Sequence, residues 1–133
     1  MFSNPKIHSK NSAHDVSTTL DRLEAILKDK GLGVFGRVDH AANAQKVDMS
    51  MPATQVLIFG NPKAGTPLML KSASMALDLP LKMLASEDSD SQVTLSWMDP
   101  LHLKEFHQVE ECEKIFDNMS KALDGLATAA TSA

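Results

Sequence analysis

The chain has 133 residues, 43% of them hydrophobic, and a formal net charge of −4. That is one domain's length with material for a core, and it excludes disorder throughout. A single cysteine, Cys112, excludes an internal disulfide or a paired-cysteine zinc site. With an acidic balance, two arginines (Arg22 and Arg37) and no tyrosine, little is left to neutralise phosphates or read bases, so no nucleic-acid partner is expected.

The first fifteen residues, MFSNPKIHSKNSAHD, lack the apolar run of a signal peptide. Nothing later approaches the roughly 20 apolar residues of a membrane span. The expectation is one cytoplasmic domain over residues 1–133, with 1–14 and 127–133 loosely held and no membrane partner. A short first strand is read over 6–10. Asp15 to Lys30 is predicted as a helix: Leu20, Leu23, Ile26 and Leu27 form its stripe, Asp15 or Ser17 caps it, and Gly31 ends it. Residues 32–39 read as a strand with Val34, Gly36 and Val38 on one side and Phe35 and Arg37 on the other. Asp39 then caps a short helix over HAANAQKVD. Val56 to Phe59 shows no alternation, which predicts a strand buried on both faces. Pro62 to Lys71 reads as a helix with Pro62 at its first position, and a helical turn follows before Pro80. Residues 81–87 and 92–98 form a hairpin around EDSDS. Beyond Asp99-Pro100 the pattern is helical again. Cys112, Ile115, Phe116, Met119, Ala122, Leu123 and Leu126 give a continuous stripe within one helix over 109–126, and the tail ATAATSA is expected to fray. The order predicts an α+β fold, a mostly antiparallel sheet with helices packed on one face.

Four stretches together, TTLDRLEAILKDKGLGVFGRVDHAANA, QVLIFGNPKAGTPLM, ALDLPLKMLASED and VTLSWMDP, resemble the family of domain of unknown function 302 over roughly residues 15–105. The resemblance implies a TATA-box-binding-protein-like arrangement, a curved sheet in β-α-β(4)-α order, and a homodimer. It implies no established activity. Many members carry a cysteine between the strand and the Asn-Pro, and another before the central strand pair. Here Gly60 and Leu79 stand in those places, so thiol chemistry is not expected.

The candidate site is the turn GNPKAGT. The amides of Lys63, Ala64 and Gly65 at a helix start, together with the Lys63 ammonium, suit a small anionic ligand. Gly60 and Gly65 allow close approach to the backbone, and Thr66 adds a hydroxyl. A plain strand-to-helix corner, capped by Asn61, accounts for the same residues. The turn lacks the phosphate-loop pattern, so no nucleotide or other cofactor is expected. Asp39-His40 could supply a general base. His40 would then join Asn61, Lys63 and Thr66 if the strand ends share an opening. Met49 and Met51 beside Pro52 suit a pocket or a subunit contact. His102 and Glu105 are spaced as ligands but two do not make a metal site. His102 and His107 are read as solvated, and Cys112 as core. Three functions follow: a homodimeric binding or accessory domain with its pocket at 60–66, a small enzyme using His40 with the 63–65 amides, or a dimerisation module.

Overall fold

The structure, a computed structural model, describes residues 2–133. Strand β1 (Ile7–Asn11) leads to helix α1 (Val16–Asp29), β2 (Gly33–Asp39), α2 (His40–Gln45), β3 (Thr54–Gly60) and α3 (Pro62–Lys71). A 3₁₀ turn (Ala73–Leu77) precedes the hairpin β4 (Leu81–Glu87) and β5 (Val93–Met98), and α4 (Pro100–Phe106) and α5 (Glu113–Thr131) close the chain. All strand pairs are antiparallel, in the order β1-β5-β4-β3-β2. This is the α+β fold with a one-sided helical layer that the sequence predicts.

α1 forms where its stripe predicts. The Asp15 carboxylate accepts from the Thr18 amide at 2.7 Å, and Gly31 takes the left-handed φ of +72° that a helix C-terminus favours. Leu20, Leu23 and Leu27 are fully buried, each contributing about 1.5–3 kcal/mol by leaving water. Beneath them lie Leu57 and Phe59 of β3, Met83 and Ala85 of β4, and Leu95 of β5. β3 therefore does alternate. Leu57 and Phe59 face the helices, while Val56 and Ile58 are half-buried on the uncovered face, because only one side of the sheet carries helices.

β2 departs from simple alternation. Val34 pairs with Phe59 and Gly36 with Ile58, so Phe35 is the extra residue of a bulge. The bulge reverses the parity after it: Arg37, opposite Leu57, turns to the helical side, where its Nη1 donates to Asp21 Oδ1 at 2.6 Å and its Nε to Gln55 Oε1 at 2.8 Å. Phe35 is left 60% exposed.

The C-terminal third corrects three expectations. The stripe from 109 does not run as one helix. Gln108, Glu111 and Cys112 all have left-handed φ, so α5 begins at Glu113 with half-buried Cys112 at its N-cap. The tail is not frayed: α5 continues to Thr131, Ala127 and Ala130 are buried, and Arg22 of α1 donates to the carbonyls of Ala129, Ala130 and Ser132 at 3.0–3.1 Å. A guanidinium is well placed there because the last carbonyls of a helix have no partner of their own. The Ala13 amide donates to Thr131 O, and His14 Nε2 bonds Ser132 O at 2.7 Å, so the loop after β1 is tied to the end of α5. Finally, His107 is not solvated; it is 6% exposed and bonded to the segment after α3.

Candidate functional site

The corner at the end of β3 is built as the sequence predicts. β3 runs to Gly60, Asn61 caps α3, and Pro62 opens it, where its missing N–H costs no helical bond. Beyond the corner lies a cavity of about 570 Å³. One wall is the start of α3, from Asn61 to Met69. The inner end is Phe59 with Leu79, Pro80 and Leu81, where the chain enters β4. The far wall is α5, with Ile115, Asn118, Met119, Ala122, Leu123 and Leu126, and Leu32 and Phe35 complete the lining.

The glycines serve packing. Gly65 is buried, and a Cβ there would stand 3.4 Å from Leu79 Cδ1, so its absence lets α3 lie close to the strand entry. A Cβ on Gly60 would meet only ordinary contacts, 3.5 Å from Pro80 and 3.8 Å from the Phe35 ring.

The three amides expected to cradle an anion are already engaged. Lys63 N–H donates to Asn61 Oδ1 at 3.0 Å, and the Ala64 and Gly65 amides both donate to the Asn61 carbonyl at 3.0 Å. A capped first turn satisfies its own donors, so no backbone anion hole exists here. What remains polar at the cavity is Asn61, Lys63, Thr66 and Asn118, all in exposed positions. Lys63 is the one charged residue in the lining, no carboxylate lines it, and Lys63 enters no ion pair among the described residues.

Gly60, Asn61, Lys63, Gly65 and Thr66 are thus brought together, and His40 is not. In an antiparallel pair the end of one strand lies beside the start of the next. Gly33 is opposite Gly60 and Asp39 is opposite Gln55, so His40 is at least five residues along, roughly 17 Å away. Asp39 does cap α2, accepting from Ala42 N–H at 2.9 Å, and its other oxygen accepts from Gln55 at 3.3 Å. The enzyme built on His40 and the 63–65 amides has neither its base nor its donors in place. Met51 lines a smaller recess beside α2, and Met49 is 65% exposed. His102 contacts Phe106, and no cluster of three or more His, Cys, Asp or Glu exists among the described residues.

The far wall was missed at the level of sequence. Met119, Leu123 and Leu126 have the spacing of a core stripe, and only the approach of α5 to α3 and the β4 entry leaves a space in front of them. Asn118, polar and adjacent to that stripe, was the one local signal.

The family model described as "Domain of unknown function DUF302" matches residues 8–126. The chain belongs to this family. A solved DUF302 structure, an uncharacterized conserved protein from Bacillus stearothermophilus, superposes with a TM-score of 0.85 over 96% of this chain and 99% of that one, at 16% identity. That likeness shows the shared fold. Two proteins named "Fluoride-specific ion channel FluC 1", from Brucella suis biovar 1 and Brucella abortus biovar 1, are each 42% identical over 98 residues. Those residues are 74% of this DUF302 chain but only 39% and 36% of the two relatives, so the chain spans well under half of their length. No helix among its described residues is long and apolar enough to cross a membrane.

Proposed function

We propose that this DUF302 domain binds a small amphipathic anion, holding an apolar body in the cavity and an acidic head at the Lys63 rim. The observation that carries the reading is a cavity of about 570 Å³ with an apolar lining, one cation and no carboxylate. That volume is in the range of pockets that enclose small ligands, roughly 300–1,000 Å³. The head is read by Lys63 as a point charge, with Asn61, Thr66 and Asn118 as hydrogen-bonding neighbours, and not by the backbone.

A thermal-shift panel of medium-chain and aromatic carboxylic acids, each beside its neutral primary amide, tests this. A ligand at 100 times its Kd adds about 2.7 kcal/mol, a shift of several degrees in a domain of this size. Lys63→Gln should erase the preference for acid over amide. Ala122→Trp, at an exposed wall position, should abolish both responses. No shift across the panel, or an undiminished one in Ala122→Trp, rejects the cavity as the site.

The Brucella relatives favour an accessory role for such a module. The portion they share with this chain is a minority of their length and supplies no membrane-crossing helix here. A ligand-responsive appendage beside a conducting part fits that proportion. The homodimer implied by family resemblance would use the uncovered sheet face, where Val38, Val56, Ile58 and Leu84 are half-buried and Met98 is 44% exposed; sedimentation equilibrium of wild type against Val56→Lys tests it.

A further inference from the structure

Away from the cavity, three side chains from two distant stretches form a relay. The His107 imidazole, only 2% exposed, has Nε2 at 2.5 Å from Asp78 Oδ2 and Nδ1 at 2.8 Å from Ser74 Oγ. The position is fixed from behind, since Ser72 Oγ donates to the His107 carbonyl at 2.8 Å. The Phe106 ring meets the imidazole edge-on, with centroids 5.0 Å apart. A carboxylate only accepts, so Nε2 carries the proton in the neutral ring and Nδ1 presents its lone pair to the serine hydroxyl. Ser74 is an exposed residue, and its Oγ also lies 3.2 Å from Ser72 Oγ.

We propose that Ser74 is a nucleophile, with His107 as its general base and Asp78 as the positioning residue. Nucleophile and base within hydrogen-bond reach, the base oriented by a third group, is the signature of an activated hydroxyl. It arises here through the opposite ring nitrogen from the commonest serine–histidine arrangement. In the step, Oγ attacks an acyl carbonyl carbon and its proton passes to Nδ1. The bond from that carbon to the leaving group breaks, and the leaving group takes the electron pair. The imidazolium, held by Asp78, then gives the Nδ1 proton to solvent. Freed again, Nδ1 takes a proton from a water molecule that attacks the acyl carbon, and returns it to Ser74 Oγ as the acyl–oxygen bond breaks and the carboxylic acid leaves.

General-base assistance alone is worth roughly 10²–10⁴-fold. That suits a substrate whose leaving group departs without protonation, an activated ester or a thioester, and not an amide. Phe106 and Leu77, 68% and 81% exposed, stand beside His107 and Asp78 and offer apolar surface to the acyl chain.

The test is acylation of the full chain by p-nitrophenyl acetate and by an alkyl fluorophosphonate, with the modified residue located by peptide mass spectrometry. The expected result is a single adduct on Ser74, lost in Ser74→Ala, whose native fold is checked by circular dichroism because the substitution takes from His107 Nδ1 its partner. Asp78→Asn should slow acylation at least 10-fold while circular dichroism stays native, and Asp78→Glu should recover part of the rate. No adduct on Ser74, an equal adduct level in Ser74→Ala, or an unchanged rate in folded Asp78→Asn overturns the proposal and leaves the relay as a clamp between α4 and the segment after α3.

Discussion

Two strand-to-helix corners in this molecule use nearly the same local chemistry. At one, β2 ends in Asp39, which caps α2 through its side chain. At the other, β3 ends before Asn61, which caps α3 in the same manner. The first faces a recess of about 340 Å³ lined by Asp39, Gln45, Ser50, Met51 and Gln55. The second opens on the larger apolar cavity. The cap does not make the difference. α5 and the β4 entry, 20 to 65 residues further along the chain, stand across from α3 without filling the space, whereas among the described residues the first recess is lined only by residues between Asp39 and Gln55. A capped corner is a local event and a cavity is a long-range one.

The sharpest way to break the contrast is at the walls. Phe59 is 2% exposed and lines the cavity, so Phe59→Ala should cost about 3–5 kcal/mol in urea unfolding. Met51→Ala, at a residue 42% exposed in the other recess, should stay within about 0.5 kcal/mol. Equal costs would mean that the two hollows are framed alike. The caps should behave as equals: Asn61→Ala and Asp39→Ala are each expected to lose about 1 kcal/mol of stability. A several-fold disparity in denaturant midpoints would show that one corner holds more than its own helix.

The smallest effect concerns a cap that faces no hollow. The Thr18 backbone N–H, and then the Thr18 side chain, hold the Asp15 carboxyl below its ordinary value of 3.8. A carboxyl depressed in the folded state adds stability that is present above the unfolded value and lost as pH falls through the folded one. Melting temperature below pH 3.8 should therefore fall less steeply in Asp15→Asn, which caps without titrating, than in wild type. Parallel slopes would show that this hydrogen bond is not maintained in solution.

Local features were legible in the sequence because their causes are local. The stripe of α1, the Asp15, Asp39 and Asn61 caps, Pro62 at the start of α3 and the EDSDS hairpin each depend on residues within a turn of one another. The bulge at Phe35 left no mark on composition, and it reversed the side on which Arg37 lies. The 108–112 break was hidden because apolar spacing continued through residues that are left-handed without being glycine. The turn at 60–66 drew notice for its amides, yet the Asn61 carbonyl and side chain already occupy them. The cavity beside it is closed by side chains from α5. His107 looked solvated because its partners, Asp78 and Ser74, lie 29 and 33 positions earlier.

The contacts of residues 13 and 14 with 131 and 132 rivet the loop after β1 to the last turn of α5. The approach to the first helix and the close of the last one therefore hold each other, and a protease that trims past Ser132 would loosen both together.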